Sequence, residues 1–187
     1  AVAAGVSDSR ASLTWLDRSG GSRLFKRFPG DEFERILALE SVGDGQVLVM
    51  GYRHIPAGDK RSRATGHAML MGSNGVVERD FYIGEPGTKI MAGQVLPDGH
   101  IILSGSTLNK EGREAGFVCK VSPRNKVVYF YTAVTGAVCR HFDVLGNRSE
   151  LLHAAFTDGK GGSSVVRLDE NGKPYFLTTL PDESYRI

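Results

Sequence analysis

The chain has 187 residues, 41% of them hydrophobic and 24% charged, which is typical of a single globular domain with a sizeable core. Its 23 Lys and Arg residues against 21 Asp and Glu leave a net charge of +2, which argues against a dedicated nucleic-acid binder. No apolar run approaches the roughly 20 residues of a membrane helix, so no membrane span is expected.

Taken in chain order, the sequence alternates between two kinds of strand pair. One kind is a hairpin of two apolar-rich runs around a four-residue polar turn, and it occurs at 12–28, 67–83, 117–133 and 164–180. The turns of these hairpins begin at Asp17, Gly72, Ser122 and Asp169. The other kind of pair lies between the hairpins and aligns without gaps at 36–52, 90–106 and 139–155, around turns at 44–45, 98–99 and 147–148.

One repeat therefore holds four antiparallel strands in about fifty residues, and no segment shows helical periodicity. This pattern predicts an all-β, β-propeller-like fold of about four blades, the first of them incomplete. We expect a single domain, 1–187, with a partial blade at 1–28 followed by blades at 29–84, 85–134 and 135–181.

The two ends of the sequence belong to this repeat. Residues 1–8 match the second strand of a repeat, so the first blade lacks its initial strand. The closing residues 182–187, DESYRI, echo 31–36, DEFERI, where an initial strand begins. Two expectations remain open: the end of the chain completes the first blade, or the sequence is a piece of a longer propeller.

The stretch LPDGHIILSGSTLNKEGREAGFVCKVSPRNKVVYFYT, residues 96–132, resembles a blade of the bacterial secreted and envelope β-propeller repeat proteins. Asp98-Gly99 and Gly105-Ser106-Thr107 hold the matching places, and 165–176 matches the second half of such a blade. The segment around Gly72-Ser73 departs from the pattern. The resemblance implies a propeller that is periplasmic or secreted, and it transfers no catalytic residues because its motifs are turn residues.

Acidic and polar residues recur at one position of the initial strands, which line the channel of a propeller. Glu40, Gln94 and Asp143 hold this position and are predicted to face one axial space. With His141, Glu40 and Asp143 offer a ligand, metal or catalytic site. The favoured alternative is a water-filled channel with a polar lining, because three unlike residues make a weak metal set. Neither a metal nor a cofactor is therefore predicted.

The longest connection between a second and a third strand is the predicted loop 53–67. It is rich in basic residues, with Asp59 its only acid, and its candidate binding residues are Arg53, His54, Lys60, Arg61 and Arg63. Such a loop is either a solvated surface segment or a docking site for a partner protein with an acidic surface.

Motifs that carry chemistry are missing from the sequence. There is no GxSxG elbow, no HExxH pair and no phosphate-binding glycine loop, so no catalytic residue is predicted. Cys119 and Cys139 are either buried thiols or a disulfide. The sequence favours a non-enzymatic protein-binding propeller of the bacterial envelope or exterior, with immunity or inhibitor proteins as one such class. The alternative is a hydrolase or lyase with a site around Glu40, His141 and Asp143.

Overall fold

The computed structural model of the chain describes residues 1–7, 10–29, 35–57, 60–135, 137–145, 151–157 and 162–180. These ranges contain fifteen β-strands and a three-residue 3-10 turn, Gly43–Gly45, with no α-helix. No helix in them is therefore long and apolar enough to cross a membrane. The prediction of an all-β protein is confirmed.

The described strands form four antiparallel sheets, each ordered as the chain runs. Sheet 1 has three strands: β1 (Val2–Ser7), β2 (Arg10–Leu16) and β3 (Ser22–Arg27). Sheet 2 has four: β4 (Arg35–Ser41), β5 (Val47–Ala57), β6 (Lys60–Met71) and β7 (Val77–Ile83). Sheet 3 has four: β8 (Lys89–Val95), β9 (Ile101–Leu108), β10 (Glu114–Val121) and β11 (Val127–Thr135). Sheet 4 has four: β12 (Val138–Leu145), β13 (Leu151–Thr157), β14 (Ser163–Leu168) and β15 (Pro174–Leu180).

The four predicted hairpins are present as β2–β3, β6–β7, β10–β11 and β14–β15, and their turns share one hydrogen-bond pattern. The first turn residue donates its N–H to the carbonyl four residues on, and its own carbonyl accepts from the N–H three residues on. The residue three positions after the first turn residue has a positive φ. It is a glycine in three of the turns and Asn125, with a φ of 60°, in the fourth. Each hairpin also has a register shift one residue before its turn. The four turns are therefore one local structure used repeatedly.

Two of the predicted features lie on residues outside the described ranges. The predicted turn at 147–148 and the closing segment 182–187 both lie there.

The chain divides into two compact units, 1–94 and 95–187. In the first unit, sheets 1 and 2 pack face to face through buried apolar side chains, which are Ala11, Leu13, Trp15, Phe28, Val47, Val49, Met69 and Met71. Each large apolar side chain buried in this way stabilises the fold by about 1.5–3 kcal/mol.

In the second unit, the last three strands of sheet 3 pack against sheet 4 through a second cluster, whose buried members are Leu96, Ile102, Val118, Ala137, Cys139, Ala154, Phe156, Val166 and Leu168. The two sheets approach closely at Gly116, where an added Cβ would lie 2.5 Å from Cδ1 of Phe156. Cys119 and Cys139 are both buried thiols. Burial raises the pKa of the Cys119 thiol well above its usual range, so the group stays protonated and unreactive.

The segment 53–67 differs from its prediction, because it is paired strand rather than loop. The pairing of β5 with β6 continues through Arg53↔Thr65 and Ile55↔Arg63 to Ala57↔Lys60. The register shifts between Ile55 and Ala57, which places Pro56 at an irregularity of the ladder. Proline lacks an N–H and is tolerated in sheets at bulges, so Pro56 does not end the strand. The prediction of a loop at 53–67 was therefore wrong for the described part of this segment.

Candidate functional site

The β5–β6 hairpin continues past the described parts of the neighbouring strands β4 and β7. The described part of β4 begins at Arg35, which pairs with Tyr52 of β5, and β7 pairs with β6 from Gly66 onward. In the described structure the ladder partners of residues 53–57 and 60–65 lie in these two ranges, and the N–H of Gly87 also donates a hydrogen bond to the carbonyl oxygen of Ala64. We call this two-stranded segment the ribbon. It contains the sequence-predicted binding residues Arg53, His54, Lys60, Arg61 and Arg63.

The ribbon begins at Arg53, whose side chain is held by a neighbouring strand. The guanidinium Cζ lies 4.5 Å from the ring centroid of Tyr82 on β7, a cation–π distance. Nη1 of Arg53 also donates a hydrogen bond of 3.0 Å to the hydroxyl of Tyr82. These two contacts join the first ribbon residue to the outer strand of the sheet and restrict the direction in which the ribbon leaves it.

Beneath Tyr82 lies a buried histidine. The rings of His67 and Tyr82 are stacked with centroids 4.3 Å apart and an interplanar angle of 21°. His67 is fully buried, and its Nε2 lies 2.6 Å from Oδ1 of Asp80. A carboxylate only accepts hydrogen bonds, so this contact places a proton on Nε2 of His67. Arg53, Tyr82, His67 and Asp80 thus form one contact network, the base network, which spans β5, β6 and β7.

Sequence reasoning found Arg53 but missed the other three members of the base network. A usable signal was present, since the hairpin predicted at 67–83 already paired the start of one strand with the end of the other. In the structure His67 is opposite Tyr82, and Met69 is opposite Asp80. Cross-strand neighbours of this kind lie about 4.5–5.5 Å apart at Cβ. The predicted turn therefore implied the contact between His67 and Tyr82.

For the other predicted ribbon residues, the structure describes the backbone only. Lys60 is paired with Ala57, and Arg63 with Ile55. The side chains of His54, Lys60, Arg61 and Arg63 lie outside the described part of the structure. What the structure establishes is that these residues belong to paired strands.

The inner-strand candidates are exposed where the structure describes them. Glu40 on β4, Gln94 on β8 and Asp143 on β12 are all exposed, and the side chain of His141 is outside the described part. Glu40 and Gln94 belong to the first unit, whereas Asp143 belongs to the second. Within the described residues, no group of three His, Cys, Asp or Glu side chains is placed to hold a metal ion.

Sheet 4 places two further titratable residues in the row of Asp143. Asp143 is opposite His153 on β13, and His153 is opposite Arg167 on β14. The guanidinium Cζ of Arg167 lies 5.2 Å from the ring centroid of the exposed Tyr175. An acid, an imidazole and a guanidinium thus occupy one row across three strands, which the sequence analysis did not identify beyond Asp143 and His141.

No protein-family model matches the chain, and no curated protein matches its sequence. Among solved structures, the chain is similar to one described as "Crystal structure of the eukaryotic initiation factor", with a TM-score of 0.46 and 13% sequence identity. The alignment covers 95% of this chain and 52% of that one, so the chain spans about half the length of the structure it matches.

Proposed function

We propose that the protein is a non-enzymatic, protein-binding β-propeller of the bacterial envelope or exterior, and that it binds its partner through the ribbon. The propeller assignment is supported by three sheets of four strands in chain order and by the four identical turns. The location, periplasmic or secreted, rests on the resemblance of residues 96–132 to blades of exported repeat proteins.

The observation that carries the binding proposal is the backbone pairing of the ribbon as far as Ala57↔Lys60. A loop of this length loses conformational entropy when it binds, whereas a paired segment has lost much of that entropy on folding. The ribbon therefore offers its basic residues on a partly preorganised backbone. Segments that project from a rigid scaffold are where binding residues usually occur.

The base network, which lies in the sheet next to the ribbon, supports the same proposal. Tyr82 is 40% exposed and is held between the guanidinium of Arg53 and the ring of His67. Aromatic and arginine side chains carry much of the energy in protein interfaces, because they bury large areas at low entropic cost. Tyr82 and Arg53 therefore form a rigid aromatic and cationic surface at the root of the ribbon.

The chemistry of the partner follows from charge. The sequence from 53 to 65 holds Arg53, Lys60, Arg61 and Arg63 against Asp59 alone, on a chain whose net charge is only +2. Such a local cluster attracts an acidic surface and raises the association rate, an effect that salt screens. The partner is therefore a protein with an acidic face, and a toxin enzyme inhibited by an immunity-type protein is one such case.

The test is the association kinetics of the partner, captured from an extract of the source cells and identified by mass spectrometry. The variant R61Q/R63Q removes two ribbon charges, and the matched control K110Q/R113Q removes two exposed charges from the β9–β10 loop. We expect R61Q/R63Q to associate about tenfold more slowly at low salt, with the difference shrinking at high salt. The control should associate like the wild-type protein.

Stability serves as the internal check on that experiment. The association rates are compared between variants that melt like the wild type, and the exposed substitutions of K110Q/R113Q should change the free energy of unfolding by less than about 0.5 kcal/mol. Association of R61Q/R63Q at the wild-type rate at both salt concentrations would place the interface elsewhere. Equal slowing of the two variants would also reject the ribbon as the site.

A further inference from the structure

The first unit contains a cavity of about 450 Å³ between sheets 1 and 2. Its apolar walls include Trp15 from sheet 1 and Leu39 and Val47 from sheet 2. Small-molecule sites usually have volumes of about 300–1,000 Å³, apolar walls and a few polar groups that orient the ligand. The volume of this cavity falls in that range, and its apolar walls match those of a small-molecule site.

Two turns of sheet 2 line the polar side of this cavity, and they contact each other. A Cβ placed on Gly45 would lie 3.2 Å from Cβ of Ser73, so the turn at 43–45 and the turn that begins at Gly72 are closely packed. Gly45 has a φ of 77°, a conformation that other residues rarely adopt. Gln46, also in the lining, is held by a 2.5 Å hydrogen bond from its Nε2 to Oε2 of Glu78. These contacts make the polar side of the cavity preformed.

The charge of the lining defines the polar part of a ligand. Among the described residues, Arg23 on β3 is the only charged side chain that lines the cavity, and the main-chain amine of Ala1, also in the lining, donates to the carbonyl oxygen of Leu16 at 3.0 Å. Arg23 is exposed, and no ion pair joins it to an acidic residue in the described structure. A guanidinium presents two parallel N–H donors that match the two oxygens of a carboxylate. The hydroxyl of Ser41 also lines the cavity as a neutral hydrogen-bonding group.

The geometry points to a second binding site: we propose that this cavity binds a small carboxylate with an apolar aryl or alkyl body. The body lies against Trp15, Leu39 and Val47, and the carboxylate faces Arg23. This site is distinct from the ribbon, because Val47 of the cavity wall is the first residue of β5 and Ala57 of the ribbon is the last. At about 3.3 Å per residue, the two ends of that strand are about 33 Å apart. Binding at one site is therefore testable without the other.

Trp15 is the only tryptophan of the chain, so its fluorescence reports on the wall of this cavity and on the core cluster beside it. The probe is 3-phenylpropionate, and its neutral twin is 3-phenylpropanamide, which has the same shape without the charge. We expect a saturable change in Trp15 fluorescence with 3-phenylpropionate at a Kd of about 0.1–1 mM, a value ordinary for a ligand of this size. The amide should bind about tenfold more weakly, because it lacks the charge-assisted pairing with Arg23.

Three variants separate this site from nonspecific binding. R23Q should remove the preference for the acid over the amide, whereas R18Q, which removes an exposed charge of the same sheet outside the cavity lining, should keep it. S41F should obstruct the cavity and abolish the signal. Circular dichroism and the melting temperature of each variant establish that it is folded.

Calorimetry provides the second readout. Binding heat with the same Kd as the fluorescence change, lost in S41F, would support the site. The proposal is overturned if neither method shows saturable binding up to about ten times the expected Kd, or if R23Q retains the preference for the acid.

Discussion

The β5–β6 hairpin of sheet 2 and the β9–β10 hairpin of sheet 3 begin alike and end differently. Pairing of β9 with β10 stops at Leu108↔Glu114. A short loop then closes, in which the side chain of Asn109 accepts hydrogen bonds from the N–H groups of Glu111 and Arg113 at 3.0 and 2.9 Å. The β5–β6 pairing continues into the ribbon instead. The two sheets thus have the same strand order and differ at the end of this hairpin. We place the partner contact at that end for this reason.

In the same two sheets, the next hairpins along the chain, β6–β7 and β10–β11, differ in chemistry at equivalent positions. In sheet 2, His67 is opposite Tyr82, and Met69 is opposite Asp80. In sheet 3 the matching pairs are Phe117 with Thr132 and Cys119 with Phe130. The positions of His67 and Asp80 are therefore taken by Phe117 and Phe130, whose rings stack with centroids 4.9 Å apart. Sheet 2, which carries the ribbon, therefore has a polar pair at these positions, and sheet 3, which has no ribbon in the described structure, has an apolar pair.

The largest expected effect concerns what the two hairpins share, a glycine at the point where a neighbouring strand or side chain approaches. Gly116→Ala would place a Cβ 2.5 Å from the ring of the buried Phe156, and Gly66→Ala would place one 3.1 Å from the carbonyl oxygen of Ile83. We expect each substitution to lower the free energy of unfolding by about 1–3 kcal/mol, with Gly116 the more sensitive. Chemical denaturation measures this change.

Gly43→Ala is the matched control for the two glycines, since nothing lies within 4 Å of its added Cβ. It should change the free energy of unfolding by less than about 0.5 kcal/mol. If all three substitutions had the same small effect, close approach would not explain the glycines at 66 and 116.

A smaller effect tests the difference in chemistry between the hairpins. Asp80→Ala removes the carboxylate that contacts His67 in the described structure, and the loss of this hydrogen bond to a partly exposed carboxylate should lower the free energy of unfolding by about 1–2 kcal/mol. The double variant H67F/D80F imports the apolar pair of sheet 3 and should lie within about 1 kcal/mol of the wild type. Chemical denaturation gives the free energy of unfolding of both variants. A double variant less stable than Asp80→Ala would contradict the expectation that an apolar pair can replace His67 and Asp80.

The smallest expected effect is in β9, where the hydroxyl groups of Ser104 and Ser106 are buried with no hydrogen-bond partner in the described structure. At the equivalent places, β5 has Met50 and Tyr52. Ser104→Ala removes an unsatisfied polar atom, so we expect a stability equal to the wild type or higher by up to about 1 kcal/mol. Ser22→Ala, at an exposed position of β3, is the reference. Destabilisation by more than 1 kcal/mol would reveal a polar partner of Ser104.

The features that were predictable from the sequence are those with a local cause. The turns at Asp17, Gly72, Ser122 and Asp169 need residues that accept backbone hydrogen bonds and a residue with positive φ, and both leave a signal in the sequence. The spacing of these turns then predicts the hairpins and the all-β class.

The ribbon was not predictable in the same way, because its strands depend on pairing with each other rather than on a local preference. A proline usually occurs at the end of a strand, at an edge or at a bulge. Pro56 lies at a register shift of the β5–β6 pairing, which accommodates it within the paired structure. The base network has a similar origin. The contact of Arg53 with Tyr82 joins strands that are not neighbours in the sheet, so it follows from the three-dimensional arrangement.

The two buried thiols make one half of the protein separately observable. Cys119 and Cys139 both belong to the unit 95–187, and the chain has no other cysteine. A thiol reagent in solution reacts with them only when the surrounding strands open, because burial shields both and keeps Cys119 protonated. The rate of thiol labelling in the native protein therefore measures the opening of this unit alone, without an introduced probe.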